Sequence, residues 1–134
     1  MDWHAAERDW DDPVRGEATV PRAFAESATR HAGADAQAYK GGTHDRSLVP
    51  GVVDPAPDGE FATIDYTEMA DIVRTLTAGF RYLGVEPDDR VGLFAHTRME
   101  WAQTDLALLS TGAVVTTVYP DSSSRQAAYL LTDA

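Results

Sequence analysis

Side chains that could ligate a metal are scattered along this sequence. The four histidines, His4, His31, His44 and His96, are far apart, and no pair has the i, i+4 spacing of a helical metal site. We therefore expect them in surface or packing roles and predict no zinc or iron site. The chain also has no cysteine, which excludes cysteine nucleophiles, thiolate metal sites and disulfides.

Two pairs of adjacent carboxylates could in principle perform acid–base chemistry. They are Asp11-Asp12 and Asp88-Asp89, and Asp88-Asp89 stands in a turn of a strongly acidic chain. A solvated surface position is the simpler interpretation of both. We predict no catalytic residue from either pair.

Phosphate-binding patterns are also absent. Gly41-Gly42 opens a loop rather than a helix, so neither a dinucleotide fingerprint nor a Walker loop is present. The segment Asp121–Ser124 precedes a predicted helix and could offer backbone N–H groups to an anion, but a helix cap is the simpler role. Arg98, Glu100 and Trp101 cluster at a helix start, where Glu100 suits the helix dipole and Trp101 suits packing. We predict no cofactor-binding residue here.

The charge of the chain limits the classes of molecule that could bind it. The 134 residues contain 22 acidic and 11 basic side chains, for a net charge of −11, and Lys40 is the only lysine. Nucleic acid is an unsuitable partner because phosphate binding needs a clustered basic face. Dispersed acids with almost no lysine are typical of proteins from salt-accumulating halophiles, and an ordinary acidic protein is the alternative. No apolar run approaches the roughly 20 residues of a membrane span, so we expect no transmembrane segment and a cytoplasmic protein.

Periodicity predicts four helices and four strands after an acidic arm at residues 1–18, which packs by its two indoles, Trp3 and Trp10, or stays loose. A long loop, residues 41–60, holds four glycines and three prolines and separates two strands that could pair as a hairpin. The predicted helices begin at Thr19, at Thr67 as N-cap, at Arg98 and after Asp121; the predicted strands cover 36–40, 61–65, 91–95 and 114–119.

The order from residue 61 onward alternates strand and helix three times. By the right-handed crossover rule this order builds one edge of a parallel sheet, so the predicted fold class is α/β, a partial parallel-sheet layer with flanking helices. Val91–Ala95 and Val114–Tyr119 are apolar enough to be buried on both faces. A sheet with so few strands is incomplete, and self-association through it is a further expectation.

Five stretches carry a resemblance to a known family: FATIDYTEM from Phe61, AGFRYLGVEPDDRVGLF from Ala78, TRMEW from Thr97, DLALLSTGAVV from Asp105, and VYP from Val118. Together they resemble the N-terminal part of AMP-forming acyl-CoA synthetases, closest to long-chain fatty acid–CoA ligases and to a haloarchaeal branch of them. The resemblance covers residues 19–134. The family usually has Asn and Pro where Thr97 and Met99 stand.

This resemblance implies activation of a fatty acid or other carboxylate with ATP and Mg to an acyl-adenylate, followed by acyl transfer to CoA. It also allows a peripheral position at the membrane through a lipid substrate. The phosphate loop, the adenine contacts and the catalytic lysine of relatives have no counterpart in this sequence. We therefore expect an inactive N-terminal fragment that binds none of these cofactors tightly; the alternative is a small non-catalytic α/β module that binds a partner or regulates a ligase.

Overall fold

The computed structural model describes residues 19–42 and 53–133, so the arm at 1–18, with Asp11-Asp12 and His4, and His44 lie outside the described residues. The elements in chain order are α1 (Val20–Arg30), β1 (Asp35–Lys40), β2 (Phe61–Asp65), α2 (Tyr66–Tyr82), β3 (Arg90–Phe94), α3 (Met99–Thr111), β4 (Val114–Val118) and α4 (Ser124–Asp133). All eight predicted elements are present, and the α/β fold class is confirmed.

The first two helices begin with side-chain caps. The Thr19 hydroxyl accepts a hydrogen bond from the Arg22 N–H, and Pro21 stands in the first turn of α1, as the sequence predicts. In α2 the predicted cap, Thr67, is wrong. Asp65 is the N-cap: its carboxylate accepts the Glu68 N–H at 2.8 Å, and the Glu68 carboxylate accepts the Asp65 N–H at 2.9 Å. This reciprocal capping box satisfies two helix-terminal donors at once, which Thr67, two residues later, could not do.

The strands form two separate sheets rather than one. β1 pairs antiparallel with β2, from Lys40 opposite Phe61 to Asp35 opposite Asp65, and β3 pairs in parallel with β4. The predicted hairpin is therefore confirmed, as is the β3–α3–β4 crossover. The prediction that β2 joins the parallel sheet is wrong, because its hydrogen-bonding partner is β1.

A narrow neck closes the hairpin loop at its base. Gly41 forms a bridge with Asp58, the Gly41 N–H donates to Glu60 O at 2.9 Å, and the Gly59 N–H donates to Gly41 O at 3.1 Å. A Cβ at position 41 would collide with the Pro57 carbonyl oxygen, so only glycine fits there. Within the loop that the neck closes, Val53 is buried in the core. The glycine- and proline-rich composition of the loop did not predict this burial.

The core lies where α2 and α3 pack together beneath the hairpin. The buried residues of this cluster are Val53, Ile64, Met69, Val73 and Ala107. Thr77 joins the two helices, because its hydroxyl lies 2.7 Å from Val73 O within α2 and 3.2 Å from Ala107 O on α3. The spacing of Met69, Ile72, Val73, Leu76, Phe80 and Leu83 predicts one apolar face for α2. All of them except Leu83, which is 77% exposed, lie in or against the core, so the predicted face is confirmed as far as Phe80.

The parallel sheet is less covered than its sequence predicts. In β3 no residue is buried, and in β4 only Val118 is. Phe94 is 58% exposed and Val114 is 51% exposed. The prediction that both faces of these strands are buried is therefore wrong. In the described part of the chain, α3 and α4 are the helices that pack against them. None of the described helices is long and apolar enough to cross a membrane.

Removing the capping box should destabilise α2. We expect Asp65→Ala to lower the free energy of unfolding by about 1 kcal/mol, because the Glu68 N–H loses its side-chain acceptor and the reciprocal capping box is broken. Thr67→Ala is the matched control and should change it by less than about 0.5 kcal/mol, as for an exposed substitution. Urea denaturation followed by circular dichroism measures both; a larger loss for Thr67→Ala would show that Thr67 stabilises the helix start.

Salt should control folding and association of this chain. At low salt the net charge of −11 repels itself across a small surface, and the apolar residues of β3 and β4 remain exposed. At molar salt the screening length falls to about 3 Å, so we expect compaction, dimerisation or both. Circular dichroism and light scattering across a salt series measure this. A monomer equally folded at every salt concentration would contradict the prediction.

Candidate functional site

The candidate site is the carboxyl edge of the parallel sheet. Phe94 pairs with Val118, so β3 and β4 end at the same level and their following loops, 95–98 and 119–123, emerge side by side. In open α/β sheets ligands bind outside the carboxyl ends of the strands. The loops place His96, Tyr119 and Asp121 at this edge with exposed side chains.

An ion pair lies where the first loop enters α3. Arg98 is the N-cap position of α3, and its Nε and Nη2 donate to the two carboxylate oxygens of Glu100 at 2.9 and 2.8 Å. The hydrogen bond to Glu100 raises the pKa of Arg98 above its ordinary value, against a smaller opposing effect of burial. The guanidinium therefore remains charged at any physiological pH. As predicted, Glu100 lies in the first turn of α3, where its charge suits the helix dipole.

Two glutamines fix the start of α3 against the hairpin. Gln37 on β1 donates from Nε2 to Met99 O at 3.2 Å, and Gln103 donates from Nε2 to Gln37 Oε1 at 3.0 Å. Gln103 is only 3% exposed, although the sequence predicted Met99, Ala102, Leu106 and Leu109 on the buried face. The one available signal was position: Gln103 stands four residues from both Met99 and Ala107, on one helix face. The pair positions the loop at the candidate site.

The second loop is shaped by the start of α4. Within Asp121–Ser124, Ser123 is the capping residue: its hydroxyl accepts the Gln126 N–H at 3.3 Å, and its own N–H donates to Gln126 Oε1 at 2.9 Å. The predicted role as a helix cap is therefore confirmed for this segment. Its backbone donors are partly used by the chain itself.

The paired carboxylates before β3 are structural. Asp89 Oδ2 accepts the Glu86 N–H at 2.8 Å, and the Asp88 N–H donates to Gly112 O at 3.0 Å. Asp88 has a left-handed backbone conformation with φ of 68°, which aspartate tolerates better than most residues. These bonds tie the turn to the end of α3, so this pair sets the start of the sheet rather than a site.

The chemistry available at the candidate site is limited in the described part of the chain. No group of three histidine, cysteine, aspartate or glutamate side chains is placed to hold a metal ion within residues 19–42 and 53–133. Among carboxylates, burial raises the pKa of Asp105, on α3, above its ordinary value. Lys40 lies on β1 with its Nζ 5.8 Å from the centre of the Phe61 ring. Asp105 and Lys40 lie on different elements, α3 and β1.

A separate groove lies between α1 and α2, with α3 at one end. Its volume is about 890 Å³, and its walls are mainly small or apolar side chains, among them Phe24, Ala25, Ala28, Ala70 and Val73. The groove was not predicted from the sequence. It forms because alanines line both helices where they face each other.

Comparison with known proteins identifies the family. The family described as AMP-binding enzyme matches residues 24–134. Long-chain-fatty-acid–CoA ligase FadD15 of Mycobacterium tuberculosis is 39% identical over 77 residues, which are 58% of this chain and 13% of that protein. FadD15 of Mycobacterium bovis gives the same values.

Solved structures agree on the fold. The N-terminal subdomain of Klebsiella oxytoca NpsA in complex with 3-hydroxyanthranilyl-AMSN has a TM-score of 0.65 at 23% identity, over 84% of this chain and 24% of that one. IdnL1 has a TM-score of 0.67 at 18% identity, over 84% of this chain and 20% of that one. The chain therefore spans less than a quarter of the length of these relatives. Since the family match extends over most of its residues, this chain belongs to the AMP-binding enzyme family.

Proposed function

We propose that this chain is the N-terminal portion of an ATP-dependent, AMP-forming long-chain fatty acid–CoA ligase. The observation that carries the proposal is the 39% identity to FadD15, a long-chain-fatty-acid–CoA ligase, over 77 residues. The chemical reaction of the whole enzyme is adenylation of the carboxylate followed by formation of a thioester with CoA. The long-chain substrate is the finer part of the proposal, because the matched segment is 13% of FadD15.

Within such an enzyme this chain acts as a scaffold. The capping box, the Thr77 bridge and the Gln37–Gln103 pair hold α2 and α3 in place, and these elements set the level at which β3 and β4 end. The carboxyl edge of the sheet then presents loops 95–98 and 119–123 toward whatever occupies the site. The exposed Phe94 and Tyr119 provide apolar surface at that edge for further parts of the enzyme.

We expect the described residues not to make a site for ATP, Mg or CoA by themselves. They hold no cluster of metal-ligating side chains, and their lysine lies over an aromatic ring of the hairpin. We therefore assign no catalytic step to any residue of this chain. In the proposed enzyme, ATP, Mg and CoA bind through other parts of the protein.

The isolated chain should be inactive. Adenylation builds charge on the transferred phosphate, which needs a metal and preorganised donors. We expect purified residues 1–134 to give no fatty acid-dependent exchange of labelled pyrophosphate into ATP. Exchange above the level of a no-protein blank, dependent on the fatty acid, would contradict the proposal that this chain is a scaffold.

A chimera tests the proposed enzyme directly. The 77 residues of this chain that match Mycobacterium tuberculosis FadD15 replace their counterparts in that enzyme, and palmitate-dependent AMP and palmitoyl-CoA formation are measured. We expect rates within about tenfold of the parent, a cost of about 1.4 kcal/mol, because the chain supplies the same scaffold. Acetate and an aryl acid serve as substrate controls.

Two outcomes of the chimera experiment would contradict the proposal. A chimera that folds, by circular dichroism and elution volume, but adenylates no carboxylate would favour the non-catalytic module. A chimera that, relative to unmodified FadD15, loses activity with palmitate and gains activity with the aryl acid would show that this chain contributes to substrate choice, and would overturn the long-chain assignment. Unmodified FadD15, purified alongside, shows that the assay conditions support the reaction.

A further inference from the structure

The groove between α1 and α2 has apolar walls and is open to solvent in the described structure. Along α1 it exposes Ala25 and Thr29, and along α2 it exposes Ala78, with the half-buried Phe24 and Thr77 deeper inside. A volume of about 890 Å³ lies in the range of roughly 300–1,000 Å³ that accommodates a drug-sized ligand. The groove is therefore large enough for one or two indole rings.

The direction of the two helices shows which end of the groove the preceding chain enters. The rings of His31, after the end of α1, and Tyr66, at the start of α2, are 5.8 Å apart, and the Tyr66 N–H donates to Ala34 O. The end of α1 thus lies at the start of α2, so the helices are antiparallel. Pro21, in the first turn of α1, and Arg81, in the last turn of α2, both line the opposite end.

Residues 1–18 immediately precede that end, because Thr19 is the N-cap of α1. An extended chain of 18 residues reaches up to about 60 Å, and α1 is about 16 Å long, so this arm can reach every part of the groove. It contains Trp3 and Trp10, two of the three tryptophans of the chain. The family match begins at residue 24, after the arm.

Charge complementarity favours the same pairing. The arm has six acidic residues and two arginines. The charged residues that line the groove are Asp71, Arg74 and Arg81, so its rim carries a net positive charge on a chain that is otherwise strongly acidic. Arg74 Nη2 lies 2.7 Å from Asp71 Oδ1, and Arg81 Nη2 donates to Ser110 O at 3.3 Å. Both arginines are exposed, and each guanidinium has further N–H donors for a carboxylate.

We propose that the groove between α1 and α2 receives the N-terminal arm of the same chain, with a tryptophan side chain of residues 1–18 as the anchor. The indole covers the alanine-lined walls, and the acidic residues beside it face Arg74 and Arg81. Burial of an aromatic ring provides the main stabilisation. The inference rests on the groove and the arm, not on the proposed ligase activity.

Paramagnetic NMR tests this on the whole chain, at a salt concentration where it is folded. The chain has no cysteine, so Thr75→Cys, exposed on α2 next to the groove residue Arg74 but outside the groove lining, places a single spin label beside the groove. The three indole N–H signals then report proximity. We expect the signal of Trp3 or Trp10 to broaden strongly. The same label at Arg125→Cys, on α4, should leave both signals sharp, since α4 packs on β4.

A matched pair of substitutions separates docking in the groove from chance proximity. Ala25→Phe fills the groove and should abolish the broadening, whereas Ala23→Phe, exposed on α1 but outside the groove, should preserve it. The proposal is overturned if neither arm indole broadens, if both labels act equally, or if Ala25→Phe has no effect. It is also overturned if broadening appears only between a labelled and an unlabelled molecule, because the arm would then bind a second copy.

Discussion

The contact between α2 and α3 joins the two sheets of this molecule. The hairpin sheet packs on these helices at Ile64 and Val53, and the parallel sheet follows α3 through β4. Ala107 is fully buried at this contact, and the Thr77 hydroxyl donates to carbonyl oxygens of both helices, Val73 O and Ala107 O. A larger side chain at position 107 would separate the helices, and neither sheet is large enough to hold the other without them.

The sequence predicted the elements well because each one shows its own local signal. The stripe of α2, the cap of α1 and the β-branched run of β4 all depend on residues within one element. The N-cap of α2 was missed although the sequence carries the signal: Asp65 is followed three residues later by Glu68, the spacing of a capping box, whereas Thr67 is followed at that distance by Ala70. The pairing of β2 with β1 was predicted, but β2 was also expected at the edge of the parallel sheet, and only contacts distant in sequence show that the two sheets are separate. Gln103 was missed for a related reason: its burial depends on Gln37, 66 residues away.

At the candidate site, too, the local elements were predicted and the contacts between them were not. The sequence predicted the order β3–α3–β4 in a parallel sheet and a cap within Asp121–Ser124, but it did not single out the two loops that the structure brings together at the carboxyl edge. The groove could not be foreseen, because it arises from the distance between two helices and not from a motif. Burial on both faces of β3 and β4 was overestimated, since an apolar composition describes what a strand tolerates and not what covers it. In the AMP-binding family these strands belong to a protein several times longer than this chain.

The neck at Gly41 and Asp58 separates the hairpin from the segment it encloses. Because hydrogen bonds close the base of the loop, the register of β1 and β2 does not depend on how many residues lie between Gly42 and Val53. Lengthening a loop is thermodynamically inexpensive, since each doubling of its length costs about 0.6 kcal/mol. Insertions between Gly42 and Val53 can therefore accumulate during evolution without disturbing the core. A peptide tag or a small reporter domain can be introduced at the same place.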